Sequence, residues 1–102
     1  ISPKEIEDFV ITHPKVSDCQ VVGVPDAKYG EEALACIILK DGETMTEPEI
    51  REFMMSNIAR HKVPRYIKFV ESYPMNAAGK ILKYKMREAA VEELGLQNLV
   101  KK

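Results

Sequence analysis

The 102-residue chain contains no tryptophan, two cysteines and two histidines. Two cysteines cannot build the disulfide framework of a small secreted scaffold. Cys19 and Cys36 lie in apolar segments, where free cysteines behave as small buried hydrophobic residues; a cross-strand disulfide is the minor alternative. His13 and His61 are far apart in the sequence, and no Cys/His spacing matches a zinc site. We therefore expect a domain without a metal site.

The chain also has no excess of charge of one sign, because 15 basic and 16 acidic residues leave a formal charge of −1. This balance gives no electrostatic reason to expect nucleic-acid or membrane binding. No apolar run is long enough to span a bilayer and no signal peptide is visible, so we expect a cytoplasmic location. Ile1 is not a natural start, and we expect residues 1–102 to be one domain of a longer protein, whose targeting this piece does not determine.

A capping motif predicts the first helix. Ser2 and Glu5 form a Ser-x-x-Glu capping box with Pro3 at the first helical position. The helix should end near His13, because Pro14 disfavours helical geometry in the residue before it.

Two further helices are predicted by the same signals and by apolar periodicity. Thr46 and Glu49 form a second capping box, and residues 83–94 form a third helix that Gly95 can cap, with a frayed tail over 95–102. The apolar face of the second helix comprises Ile50, Phe53, Met54 and Ile58, with Asn57 as its one polar member. The stripe of the third comprises Leu82, Met86, Ala89, Ala90 and Leu94.

Three short segments have the character of strands: residues 19–24, 34–39 and 65–70. Pro25-Asp26 should end the first strand, and residues 25–31 should form a turn. The continuous apolar run at 34–39 is typical of a strand that is covered on both faces. The order helix, strand, strand, helix, strand, helix predicts an α+β fold, with three helices packed on a small mixed or antiparallel sheet of about three strands.

The loop between the third strand and the third helix carries the main functional signal. It contains Pro-x4-Gly-Lys, with Pro74, Gly79 and Lys80. Gly79 allows a sharp turn that projects Lys80 outward, and a lysine ammonium suits contact with phosphate or a developing oxyanion. The motif is not a Walker A loop, because Pro74 and Ile81 stand where that motif needs Gly and Ser or Thr. For a Gly-Lys pair alone, a surface turn with a solvated lysine would be the default interpretation.

Four further segments resemble, in the same order, the C-terminal domain of AMP-forming acyl-CoA synthetases, and Pro-x4-Gly-Lys resembles the lysine loop of that family. They are Ile-Ser-Pro-Lys-Glu-Ile-Glu at 1–7, Val-Val-Gly-Val-Pro-Asp at 21–26, Tyr-Gly-Glu-Glu at 29–32 and His-Lys-Val-Pro-Arg-Tyr at 61–66. The resemblance covers about residues 1–94. It implies a mobile lid domain of an adenylate-forming ligase, in which segment 1–7 follows the domain hinge.

The resemblance also implies a mechanism. Lys80, enabled by Gly79, would bridge the carboxylate and the α-phosphate of ATP during acyl-adenylate formation, and the lid would then rotate for thioester formation. The full-length enzyme would use ATP, Mg²⁺ and coenzyme A, none of them held by this domain alone, and the isolated fragment should be inactive. The family's lysine loop is a recognised acetylation site, so acetylation of Lys80 would block adenylation.

Four residues are weaker candidates for contacts with coenzyme A. Lys62, Arg65 and Lys83 could meet its phosphates, although a solvated basic face explains them as well. Gly23 could let the pantetheine arm approach the backbone, although close packing is an equal explanation. We expect Glu31 and Glu32 to be exposed turn charges and not an acid–base pair, and Tyr29 and Tyr84 to be packing residues and not ligands.

Two other functions stay open at this point. One is the C-terminal part of an adenylation domain coupled to a carrier protein, and the other is an α+β interaction module without catalysis. In the acyl-CoA synthetase interpretation, the main partner is the protein's own N-terminal domain, which would hold the acid pocket. The resemblance suggests a fatty acid of medium or longer chain.

Overall fold

The computed structural model describes residues 3–26, 30–58 and 63–95. Its elements confirm the predicted α+β order: α1 (Pro3–Ile11), β1 (Val16–Asp26), β2 (Gly30–Leu39), α2 (Glu47–Met55), β3 (Tyr66–Phe69) and α3 (Lys83–Glu93).

The three strands form a mixed sheet in the order β1-β2-β3. β1 and β2 are antiparallel, with a register that runs from Val16 opposite Leu39 to Asp26 opposite Gly30. β2 and β3 are parallel, with Leu34 opposite Tyr66. β2 is therefore the central strand, and within the described residues the outer edge of β1 has no neighbouring strand.

The hydrophobic core has two parts, one on each face of the sheet. Ala35 and Ile37 of β2 pack with residues of α1 and α2, whereas Leu34 and Cys36 of β2 pack with residues of α3. Alternate side chains of a strand point to opposite faces, so residues 34–37 of β2, which are all buried, are all apolar. This confirms that the continuous apolar run marks a strand covered on both faces.

The first strand pair is longer than predicted, and the expected turn at 25–31 is partly strand. Pro25 lies opposite Glu31 and Asp26 opposite Gly30, which has φ +80°. Pro25 is tolerated because β1 is an edge strand. The N–H of Val21 points away from β2 and bonds to Glu7. Backbone N–H groups alternate in direction along a strand, so position 25, four residues later, faces the same outer edge. The N–H that Pro25 lacks would therefore not have bonded to β2.

The helix ends largely follow their sequence signals. α1 ends at Ile11, just before Pro14, whereas its predicted cap Ser2 lies outside the described residues. The Thr46 hydroxyl accepts a hydrogen bond of 3.4 Å from the N–H of Glu49, as the capping box predicts. Gly95 follows α3 with φ +69°, which is the left-handed conformation that glycine favours after a helix.

The predicted apolar stripe of α3 is wrong in part. Met86 and Ala90 are buried, but Ala89 and Leu94 are exposed and Val91 is buried in their place. The helix thus rests on the sheet with a face rotated towards Val91. The face of α2 is as predicted for Ile50 and Met54, which are buried, and for Phe53, which packs against the core. The helix ends at Met55, however, so the predicted members Asn57 and Ile58 lie beyond it. The predicted frayed tail falls on residues 96–102, outside the described residues, apart from Gly95.

The two cysteines are free and buried, as predicted. They lie on opposite faces of the sheet, Cys19 in the α1/α2 core and Cys36 in the α3 core, so the alternative of a disulfide is excluded. Burial raises the pKa of the Cys19 thiol to about 12 and that of Cys36 to about 11. Both thiols are therefore protonated and unreactive at neutral pH.

The described core makes a stability prediction for the 102-residue chain. Ile50→Ala should lower the free energy of unfolding by about 2–5 kcal/mol, because Ile50 is 0% exposed and the substitution leaves a cavity. Ile11→Ala is the matched control on a helix, since Ile11 is 40% exposed, and should cost less than about 1 kcal/mol. Urea denaturation measures both, and equal losses would contradict this assignment of the core.

Candidate functional site

The lysine loop is a compact hairpin, although the sequence indicated a short unpatterned loop. Met75 and Ile81 form an antiparallel bridge. The N–H of Leu82 donates to the carbonyl of Pro74 at 2.9 Å, and the N–H of Asn76 donates to the carbonyl of Lys80 at 3.0 Å. We call residues 74–82 the lysine hairpin. Its backbone bonds hold Lys80 close to the turn.

Asn76 organises the turn of the lysine hairpin. Its side-chain Oδ1 accepts hydrogen bonds from the N–H groups of Ala78, at 2.9 Å, and Lys80, at 3.0 Å. Side chains of Asn commonly stabilise turns in this way. Sequence analysis missed Asn76, although an Asn two residues before a small turn residue is a signal for such a turn.

Gly79 is required by conformation and not by space. Its φ is +84°, and a Cβ atom would meet nothing within 4 Å. A side chain at this φ strains the backbone even where room exists. The turn therefore depends on both Asn76 and Gly79 to present the next residue.

Lys80 is exposed at the end of this turn. In the described part of the chain, no carboxylate forms an ion pair with its ammonium. The surrounding surface is concave and includes Gln20, Asn76 and Tyr84. A cation that is held by its backbone and is left without an internal partner is available to an external anion.

Two side chains fix the flanks of the lysine hairpin to the sheet. On the N-terminal flank, the buried hydroxyl of Tyr73 donates to the carbonyl of Cys36 in β2 at 3.1 Å, and burial raises the pKa of Tyr73 well above its usual range. On the C-terminal flank, the Lys83 ammonium donates to Glu7 Oε2 at 2.8 Å and to the carbonyl of Val21 at 3.0 Å. Sequence analysis missed Tyr73 and Glu7 because both contacts join distant segments.

The structure places Gly23 next to an ion pair. A Cβ at Gly23 would overlap the Glu31 carboxylate, which pairs with Arg87 at 3.0 Å. Arg87 also donates to the carbonyl of Gly23 at 3.2 Å. The overlapping atoms are the end of a Glu31 side chain that is 64% exposed and can move aside, so packing alone does not require glycine at this position. Glu31 and Glu32 lie in β2 and not in a turn; Glu31 is exposed, as expected, whereas Glu32 is half-buried.

Arg65 stands apart from the lysine hairpin, directly before β3. Its guanidinium lies 5.7 Å from the centre of the Tyr66 ring, and this neighbour raises the pKa of Arg65. Arg51 donates to the carbonyl of Arg65 at 3.0 Å and fixes the backbone there. Arg65 is exposed and contributes to a cleft between β3 and α3.

Of the remaining candidate residues, only some lie in the described part of the chain. Lys62 and Tyr29 lie outside the described residues. The interpretation of Tyr84 as a packing residue is wrong, because Tyr84 is 59% exposed beside the lysine hairpin. Among the described residues, no group of His, Cys, Asp and Glu side chains could hold a metal ion, and no helix is long and apolar enough to cross a membrane.

Comparison with known proteins identifies the family. A sequence profile described as the AMP-binding enzyme C-terminal domain matches residues 5–80. The chain belongs to this family. This match confirms the resemblance to the C-terminal domain of AMP-forming acyl-CoA synthetases.

Two relatives and two solved structures illustrate the match. The chain is 54% identical over 98 residues to a putative acyl-CoA synthetase, YngI, of Bacillus subtilis, covering 96% of this chain and 18% of that protein. It is 52% identical over 96 residues to the human mitochondrial medium-chain acyl-CoA ligase ACSF2, covering 94% and 16%.

Among solved structures, a fatty acyl CoA synthetase of Mycobacterium tuberculosis matches with a TM-score of 0.79 at 40% identity, covering 89% of this chain and 18% of that one. ATP-bound MatB of Rhodopseudomonas palustris matches with a TM-score of 0.83 at 32% identity, covering 88% and 18%. The chain therefore spans less than a fifth of the length of the proteins it matches here.

The geometry of the lysine hairpin predicts the effect of changing Asn76. Asn76→Ala removes the acceptor of two amides, so hydrogen exchange at Ala78 and Lys80 should accelerate by about tenfold or more. Asn76→Asp keeps an acceptor and should retain most of the protection. Amide exchange followed by NMR measures this, and unchanged rates in Asn76→Ala would contradict the role of Asn76.

Proposed function

We propose that this domain supplies Lys80 to the adenylation half-reaction of an AMP-forming acyl-CoA synthetase. The observation that carries the proposal is the exposed Lys80 ammonium, which has no ion-pair partner among the described residues and stands on a hairpin fixed at both flanks. Membership of the AMP-binding enzyme C-terminal domain family supports a substrate with phosphate groups as the partner of this cation.

In the proposed reaction, a carboxylate oxygen attacks the α-phosphorus of ATP and the bond to pyrophosphate breaks. The product is an acyl-adenylate. The thiol of coenzyme A then attacks the acyl carbon and displaces AMP. The first step gathers negative charge on the carboxylate and phosphoryl oxygens, and a positioned ammonium stabilises that transition state more than the separated reactants.

The domain would act as a lid on its own N-terminal domain. The described surface around Lys80 is open, so the rest of the ATP and acid sites would come from that partner. The Mg²⁺ that accompanies ATP would be held there as well. After adenylation, rotation of the lid would withdraw Lys80. This chain alone should therefore not catalyse ATP–pyrophosphate exchange.

The acid is proposed to be a fatty acid of medium or longer chain, which the names of two similar proteins support. Of the candidates for coenzyme A phosphates, Arg65 is exposed and can still meet an anion, and Lys62 stays a proposal from sequence. Lys83 already donates to Glu7, and Gly23 makes room for Glu31. A carrier-protein thiol in place of coenzyme A is the alternative acceptor.

Lys80→Ala in the full-length protein should separate the two half-reactions. We expect adenylation to fall by about two to three orders of magnitude or more, the loss typical of removing one positioned donor of a transition state. Thioester formation from pre-made acyl-adenylate should be much less affected. Pyrophosphate release and thioester formation are measured separately. Lys85→Ala is the matched control, since Lys85 is also exposed and lies five residues further on.

Acetylation provides a second arm of the same experiment. It removes the ammonium charge, so acetylated Lys80 should behave like Lys80→Ala, and enzymatic deacetylation should restore adenylation. Equal losses in both half-reactions would mean that Lys80 acts in folding or in shared substrate binding, and would overturn the proposal. Supplying free coenzyme A or a carrier protein as acceptor distinguishes the two thiols.

A further inference from the structure

We propose that Glu7 is a positioning residue for Lys80 and acts on it through Lys83. This inference rests on the proposed role of Lys80 in adenylation. It assigns Lys83, which the sequence suggested as a contact for coenzyme A, to the support of the lysine hairpin.

The Glu7 carboxylate joins three elements at one point. Glu7 Oε2 accepts hydrogen bonds from the N–H of Val21 and from the Lys83 ammonium, each at 2.8 Å. The same ammonium donates to the carbonyl of Val21 at 3.0 Å. α1, β1 and the first residue of α3 are therefore closed into one cycle of hydrogen bonds, which we call the Glu7 clamp.

The Glu7 clamp differs from the other ion pair of α1. The side chain of Glu7 is only 14% exposed, and its ammonium partner is 2.8 Å away. Lys4 and Asp8 pair at 3.6 Å with side chains that are 80% and 62% exposed. The Lys83 side chain is 43% exposed, so only the carboxylate of the pair is shielded. The two further backbone bonds give this pair a defined geometry, whereas fully exposed pairs contribute little.

The stability of α3 does not explain why a lysine stands at position 83. Lys83 is the first residue of α3, and the first turn of that helix has no acidic residue. Its N-cap, Leu82, makes no side-chain capping bond. A cation at a helix N-terminus is disfavoured by the helix dipole. The carboxylate of Glu7 supplies the missing negative charge from another helix.

The clamp is connected to Lys80 by a short and bonded stretch of backbone. Lys83 follows Leu82, whose N–H bonds to Pro74, and Ile81, which bridges to Met75. A shift of residue 83 therefore moves the strand of the hairpin that carries Lys80. A displacement of about 1 Å in a reacting group can cost a hundredfold in rate, so a support three residues away can affect the chemistry.

The test uses the full-length protein and both half-reactions. Glu7→Gln keeps an acceptor for the N–H of Val21 but removes the charge, and Lys83→Met removes the ammonium. Both should lower the adenylation rate by about tenfold or more, with thioester formation from pre-made acyl-adenylate and the KM for coenzyme A within about twofold of wild type. Lys83→Arg should retain most of the adenylation rate, because it keeps a cation opposite Glu7.

Two controls separate positioning from general stability. Glu93→Gln breaks the pair of Lys68 with Glu93, 2.7 Å apart, which ties β3 to the other end of α3; adenylation should stay within about twofold. The double variant Glu7→Gln/Lys83→Met should lose no more than the worse single variant, because both changes break one unit. A loss of folded protein lowers both half-reactions equally. The ratio of the adenylation rate to the rate of thioester formation therefore reports positioning even in a destabilised variant.

Several outcomes would overturn the inference. A raised KM for coenzyme A in Lys83→Met would make Lys83 a ligand contact. Equal losses in the two half-reactions, or a matching loss in Glu93→Gln, would make the clamp merely structural. Full adenylation in Glu7→Gln, in a protein where Lys80→Ala abolishes it, would refute the inference and leave the proposed function intact. Full adenylation in Lys80→Ala would instead refute the proposed function.

Discussion

Val21 lies on the outer edge of the sheet, where in the described fold no neighbouring strand bonds its backbone. Unsatisfied edge groups are a liability for a β-sheet. Here the carboxylate of Glu7 and the ammonium of Lys83 bond the N–H and the C=O of Val21, and Arg87 bonds the C=O of Gly23. The side chains of two helices thus take the place of a fourth strand. The start of α3, and with it the lysine hairpin, is fixed to the sheet by this requirement.

The rest of the domain gives this arrangement a rigid base. β2 is buried on both faces, so that α1 and α2 pack on one side and α3 on the other. The carbonyl of Cys36 in β2 holds Tyr73, at the start of the hairpin, and the edge of β1 holds Lys83, at its end. Between these anchors, Asn76 and Gly79 set the turn. Lys80 therefore stands on a defined backbone while its own ammonium stays exposed, which is what its proposed role, contact with a substrate bound to another domain, requires.

Local signals made most of the fold predictable. The Thr46 cap, the helix end before Pro14 and the apolar run of β2 are all encoded within a few neighbouring residues. The prediction that Pro25 ends the first strand was wrong, because that rule holds for central strands. Only the sheet order shows that β1 is at the edge. In the candidate site, too, local features were predictable and contacts between distant segments were not. Gly79 and Lys80 were recognisable as a motif, whereas Glu7 and Tyr73 act on residues 76 and 37 positions away, respectively, which no local pattern reveals.

The central claim is that an ammonium at position 80 is required for adenylation, and chemical rescue tests it most directly. Lys80→Cys in the full-length protein places an exposed thiol at this site, whereas Cys19 and Cys36 of this domain are buried and resist alkylation. Protein that keeps Lys80 and is treated in the same way controls for alkylation of cysteines elsewhere. Aminoethylation of the new thiol rebuilds a lysine-like ammonium, and carbamidomethylation gives a neutral side chain as the control. The account predicts that ATP–pyrophosphate exchange is lost in Lys80→Cys, returns after aminoethylation and does not return after carbamidomethylation. Undiminished exchange in Lys80→Cys, or equal exchange after both modifications, would contradict it.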